Sequence, residues 1–218
     1  MAKGFTAVVD YGMGNLRSVQ KALEKIGSRA IIANTPGQIS DASSVILPGV
    51  GAFAKCMNNL EKLSLVDSIY RAIEAGKPFL GICLGLQILF TESEEFGNPG
   101  GLDIIKGRVI RLPANLPVED SNNPEQRARL KVPHMGWNSL KFRKRAPVYE
   151  HIDNASYFYF VHSFYVVPED ENIISTTTTH GIEFTSSIWK DNIIAMQFHP
   201  EKSQKLGLQI LKNFSKLK

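Results

Sequence analysis

Cysteine is scarce: Cys56 and Cys83 are the two in 218 residues. That excludes a disulfide framework and makes a reducing cytoplasm the default compartment. Long hydrophobic runs are also lacking. No apolar stretch approaches the ~20 residues that span a bilayer, so no membrane partner is expected. The opening MAKGFTAVVDYG has one lysine and a short alternating run, which reads as a first strand and not a signal peptide. Charge of either sign is not in large excess. The net +4 is too mild to argue for a nucleic-acid partner. No C-x-x-C or H-x-x-x-H spacing occurs, and no metal or cofactor is expected. The P-loop pattern G-x-x-x-x-G-K-[ST] is missing. YGMGNLRS has Gly12 and Gly14 after a strand, but Arg17 stands where a dinucleotide fingerprint needs its third glycine.

The length suits one substantial core, and residues 1–218 are expected to form a single domain. The first part alternates in type. FTAVVDY (5–11), AIIA (30–33), SVILP (44–48) and KPFLGI (77–82) read as strands. Residues 15–26 carry Leu16, Val19, Leu23 and Ile26 at helical spacing before Gly27. Residues 65–75 read as a second helix, and LGLQILFTESEE (84–95) as a third. After about residue 100 strands dominate, through GLDIIKGRVIRL, WNSLKFR, YFYFVHSFYVV, NIISTTTTHG, IEFTSSIWK and NIIAMQFH. A final helix presents Leu206, Ile210, Leu211, Phe214 and Leu217 behind a Ser203 N-cap. The polar stretch 113–133 reads as one long loop, and KFRKR (141–145) as a solvated strand end. The expected fold is α/β: an open, mixed, mostly parallel central sheet flanked by helices, with an antiparallel, strand-rich second half.

Cys83 sits in GICLG, after an apolar strand and before a helix. Glycines two residues either side permit a turn too tight for side chains, the cysteine counterpart of the G-x-S-x-G elbow. Such a turn pushes the thiol out at the carboxyl end of the sheet, where open α/β folds bind ligands. A helix N-terminus also favours the thiolate. The pentapeptide alone is equally compatible with a small buried residue, and Cys56 has no such setting. A thiolate nucleophile needs a base, and the base an orienter. Of the five histidines, His199 is followed two residues later by Glu201, in QFHPEKS. In extended chain these two face one side, and Pro200 marks the end of that strand. PGVG (48–51) follows a strand and offers glycine-rich backbone N–H groups for an oxyanion.

Together the segments DYGMGNLRS, LPGVGAF, GICLGLQILFTESEE, PHMGWN, FVHSF and QFHPEKS resemble the class I (triad) glutamine amidotransferases, in the family's order along nearly the whole chain. The resemblance implies a glutaminase in which Cys83 attacks the glutamine amide, with His199 and Glu201 completing a triad. It implies an oxyanion site from Gly49, Val50 and Gly51 of PGVG and from Leu84. It places Gly51, Gln87, Glu95, Ser163 and Phe164 at the substrate glutamine. It further implies a heterodimer with a (βα)8-barrel cyclase subunit of the histidine pathway, which receives the ammonia, and puts Asn15, Trp137 and Lys202 at that interface. A paralogous subunit feeding a surface-sugar amidating synthase is the alternative. FVHSF has Phe164 where the family often has tyrosine, so a hydroxyl role is not expected there.

Overall fold

The computed structural model describes residues 4–114, 117–118 and 128–218. The chain runs β1 (Thr6–Val9), α1 (Leu16–Lys25), β2 (Ala30–Ala33), α2 (Pro36–Asp41), β3 (Ser44–Gly49), α3 (Phe53–Lys62), α4 (Val66–Glu74) and β4 (Phe79–Cys83). It continues with α5 (Leu84–Gln87), β5 (Phe90–Ser93), β6 (Ile105–Arg111), β7 (Pro117–Val118), β8 (Ala128–Arg129), β9 (His134–Ser139) and β10 (Lys141–Phe142). It closes with β11 (Tyr157–His162), β12 (Phe164–Pro168), β13 (Ile174–His180), β14 (Ile182–Lys190), β15 (Ile193–Met196) and α6 (Gln204–Phe214).

The apolar strands of the first half lie side by side. The order is β2-β1-β3-β4-β15-β14-β12-β6-β5, with β10 and β13 attached through β14. The run β2-β1-β3-β4-β15 is parallel. From β15 through β14, β12 and β6 the pairings are antiparallel. Strand alternation decides which side chain enters which core. Val9, Val45 and Leu47 face one layer, with Phe53, Leu60 and Ile69 of α3 and α4. Val8, Ile46 and Leu80 face the other, with Leu23 of α1 and Phe214 of α6. A parallel sheet covered on both faces needs such continuously apolar strands. The architecture is therefore α/β with a mixed central sheet, and β15 is the late strand that returns beside β4.

Several expectations need correction. The helix expected over 84–95 stops after Gln87, and Phe90–Ser93 instead pairs in parallel with β6. The carbonyls of Ile88 and Leu89 accept from the N–H groups of Leu102 and of Ile104 and Ile105. Leu86, Ile88, Leu89 and Phe90 are all fully buried, and an apolar run buried on every side carries no period to separate helix from strand. The helices α2 and α3 were not expected from the pattern. Ser203 stands at the α6 N-cap position, but its hydroxyl makes no cap bond; Oγ donates to His199 O at 2.7 Å and accepts from Tyr159 N at 3.0 Å. The stretch read as one long loop contains the antiparallel pair β7–β8; residues 115–116 and 119–127 lie outside the described ones. In KFRKR, Arg145 is structural: Nη1 donates to Tyr149 O at 3.0 Å and to Ile152 O at 2.7 Å. Among the described residues, no helix is long and apolar enough to cross a membrane.

Candidate active site

β4 delivers Cys83 at its last residue, and α5 begins at the next. The turn between them is sharp. Cys83 has φ 56° and ψ −109°, a conformation that a side-chain-bearing residue holds only when its surroundings impose it. The surroundings are Gly81 and Gly85. A Cβ on Gly85 would lie 1.8 Å from Leu47 O, and one on Gly81 would lie 2.6 Å from Gly85 O. Close packing of α5 on β3 therefore requires the two glycines that bracket the cysteine. The Leu84 N–H, at the first turn of α5, has no acceptor within the helix.

His199 and Glu201 reach the same region from β15. They do not meet as alternating strand residues: β15 ends at Met196, and Pro200–Lys202 form a 3-10 turn. The turn brings His199 Nδ1 to 2.8 Å from Glu201 Oε1, with both side chains almost wholly buried. Proline at the first position of the turn suits this, since it has no N–H to leave unpaired. Burial opposes charge on the imidazole, but the Cys83 sulfur and the Glu201 carboxylate outweigh it and raise the His199 pKa. His199 Nε2 is buried and makes no hydrogen bond among the described residues. Pairing on Nδ1 leaves Nε2 as the nitrogen available for proton transfer.

The thiol opens onto a cavity of about 420 Å³. Val50, Gly51, Leu84, Gln87, Glu95, Ser163, Phe164 and Lys202 are among the residues that line it. Gly49 lies outside the lining, paired with Cys83 across β3 and β4. The loop after β3 is tied at both ends. Tyr11 Oη donates to Pro48 O at 2.9 Å, and the Phe53 N–H donates to Glu95 Oε2 at 2.6 Å. Gly51 between these ties has φ +99°. Gln87 Nε2 donates to Phe164 O and to Gln197 Oε1, each at 3.0 Å, so its carbonyl oxygen is the group left to meet a ligand. Trp137 and Lys202 share the Tyr159 ring, at 6.0 Å edge-on and 5.8 Å respectively. Asn15 is at the N-cap position of α1, without a side-chain cap bond.

Sequence reading missed three groups. Gln197 is fully buried and its Nε2 lies 3.6 Å from Cys83 Sγ. A glutamine after a strand has no spacing signature, although QFH is continuous with the histidine motif. His134 and His162, opposite one another in β9 and β11, join through Nδ1 and Nε2 at 2.9 Å, and His162 borders the cavity. His162 Nδ1 lies 2.8 Å from Phe164 O, an acceptor, so that nitrogen carries the proton and His134 Nδ1 donates to His162 Nε2. Tyr11 supports the loop through Pro48 O; it lies in DYGMGNLRS, but nothing in that segment signals the contact. Among the described residues no cluster of three or more His, Cys, Asp or Glu side chains could hold a metal ion.

A thiol on a strained strand-to-helix turn and a carboxylate-steadied histidine, in an α/β sheet of this order, define the class. The family model described as glutamine amidotransferase class-I matches residues 7–217, and the chain belongs to that family. The fold agrees. A crystal structure of a glutamine amidotransferase aligns with TM-score 0.72 at 15% identity, covering 98% of this chain and 100% of that one. PurLQS from Thermotoga maritima aligns with TM-score 0.68 at 20% identity, covering 97% and 95%. The sequence relatives are more specific. Imidazole glycerol phosphate synthase subunit HisH of Syntrophotalea carbinolica is 52% identical over 95% of this chain and 97% of its own. The HisH subunit of Aquifex aeolicus is 51% identical over 97% and 96%. Within the class, the chain belongs with the HisH subunits of imidazole glycerol phosphate synthase.

Proposed function

We propose that this chain is the glutaminase subunit of imidazole glycerol phosphate synthase and that Cys83, His199 and Glu201 carry its chemistry. The Cys83 thiolate attacks the side-chain carbonyl carbon of glutamine, and the C–N bond breaks. The His199 imidazolium gives its proton to the departing nitrogen, which leaves as ammonia. Water, deprotonated by His199, then attacks the thioester; glutamate leaves and the thiolate is restored. Glu201 holds the His199 tautomer and stabilises the imidazolium. The N–H groups of Val50 and Leu84, in the Gly49–Gly51 loop and at the start of α5, are the donors for the oxyanion. The Gln87 carbonyl oxygen, Glu95, and the Ser163–Phe164 backbone beside Gly51 hold the substrate.

The observation that supports this reading is geometric: Cys83 on its strained turn lines the cavity, and the turn after β15 holds buried His199 2.8 Å from Glu201. Ammonia released into water would be protonated and diluted, so the cavity mouth needs a docked cover. We assign that cover to a (βα)8-barrel cyclase subunit of the histidine pathway, bound through Trp137, Lys202 and Asn15. About half-identity to HisH subunits favours this acceptor over a surface-sugar synthase. The unpaired, buried cysteines suit a reducing cytoplasm.

The test uses the complex with the cyclase. Cys83→Ala abolishes glutamine-dependent synthesis of imidazole glycerol phosphate and leaves ammonia-dependent synthesis largely intact. Glutamine-dependent synthesis that survives this change refutes the mechanism.

A further inference from the structure

We propose that Gln197 is a hydrogen-bond donor to the Cys83 sulfur that supports the reaction and that a chain of amides anchored on a backbone carbonyl fixes it in that role. The inference rests on Cys83 being the nucleophile.

Phe164 O can only accept. The Gln87 group at 3.0 Å from it must therefore be Nε2, the donor. That same nitrogen lies 3.0 Å from the Gln197 side chain, so the Gln197 atom facing it must be the oxygen. The other end of the Gln197 amide, the nitrogen, then faces Cys83 Sγ at 3.6 Å. A free glutamine can turn its amide over and offer either end. Here a turn would set two donors against each other at Gln87, in a site where Gln197 has no exposed surface.

The sulfur thus sits between two unlike partners. Val161 O, at 3.9 Å, can accept the proton of a neutral thiol. Once that proton passes to His199, a carbonyl oxygen has nothing to offer the sulfur, and the Gln197 N–H becomes the favourable contact. A donor stabilises a charged acceptor more than a neutral one. Gln197 therefore favours the thiolate over both the thiol and the thioester. That raises the share of thiolate available to attack glutamine, and it helps the sulfur leave when water attacks the thioester. No bond to Gln197 forms or breaks.

The experiment compares wild type with Gln197→Met, which keeps an unbranched side chain but cannot donate. Alkylation of Cys83 by iodoacetamide is followed across pH on its own peptide, so that Cys56 does not contribute. At pH 7 the rate falls about tenfold and its pH profile moves upward, a size typical of losing a hydrogen bond to a charged group. In the complex kcat falls by a similar factor while KM for glutamine holds. Gln197→Asn, which keeps an amide but is too short to reach the sulfur, behaves alike and serves if the methionine variant does not fold. An alkylation profile superimposed on that of wild type overturns the assignment. It does so even where Cys83→Ala abolishes turnover, so this failure is separable from failure of the proposed function.

Discussion

Gly85 has no room for a methyl group, because Leu47 O occupies the place a Cβ would take. Gly85→Ala must push α5 off β3 or relax the strained Cys83 backbone. We expect a stability loss of ~3 kcal/mol or more, read from urea unfolding, and loss of glutaminase turnover in whatever folds. Glu201→Gln is the complementary change at the base. The ring keeps a hydrogen-bonding neighbour but loses the negative charge that favours imidazolium, so turnover in the complex falls about a hundredfold or more with little change in KM. At this scale the sequence was legible where chemistry needs a particular residue type. A cysteine between two glycines and a histidine two residues before a glutamate are each ambiguous alone and gain meaning from occurring together with the PGVG loop. Gln197 was not legible. Its meaning depends on which end of an amide faces which neighbour, and those neighbours, Cys83 and Gln87, lie more than a hundred residues away.

The elements around the site add a titration. β9 and β11 form a two-stranded ribbon that sets His134 opposite His162. Burial, aided for His134 by the nearby histidines, lowers the His134 pKa to about 3 and that of His162 to about 4. Both are therefore neutral when folded but charge near pH ~6.5 when unfolded. Between those limits the unfolded chain binds more protons, so stability is lost as pH falls from about 6.5 toward 4, by an amount on the order of a few kcal/mol. His199 has the opposite sign: its raised pKa keeps it protonated, and its contribution is lost only as pH rises through that folded value. Ring NMR across pH checks both, with His134 and His162 neutral at pH 6 and His199 charged; a charged His162 at pH 6 would contradict the network. The same scale shows why element reading worked for α1 and α4, whose apolar residues recur at helical spacing, and misjudged residues 84–95. There the apolar run is buried on all sides and carries no period, and the boundary was decided by N–H donors arriving from Leu102 and Ile104–Ile105.

Across the whole molecule, one sheet collects the site. β4 brings Cys83, β3 brings the loop beside it, and β15 leads to His199, three adjacent parallel strands ending at one edge. Beside the site, the outer β9–β11 ribbon leaves Met135, Trp137 and Tyr157 at 63%, 45% and 58% exposure. An exposed apolar group near a cavity mouth fits a docking surface. Trp137→Ala should weaken the complex by ~1–3 kcal/mol in a binding titration while leaving the unfolding midpoint of the isolated chain nearly unchanged. A midpoint that drops as much as the affinity would make Trp137 a packing residue instead. The sequence alone determined the α/β class and the parallel half with its doubly buried strands, and it marked the Cys83 turn and the His199–Glu201 pair as candidates, because strand period, glycine sterics and side-chain chemistry are local. Only the tertiary structure decided that Gln197 faces the sulfur, that His199 and Glu201 meet across a 3-10 turn, and that Glu95 and Tyr11 hold the two ends of one loop. The Gln197 contact exists only once β15 has inserted beside β4, the Tyr11 and Glu95 ties join segments about forty residues apart, and the 3-10 turn depends on how the chain bends after β15, so none is written in local spacing.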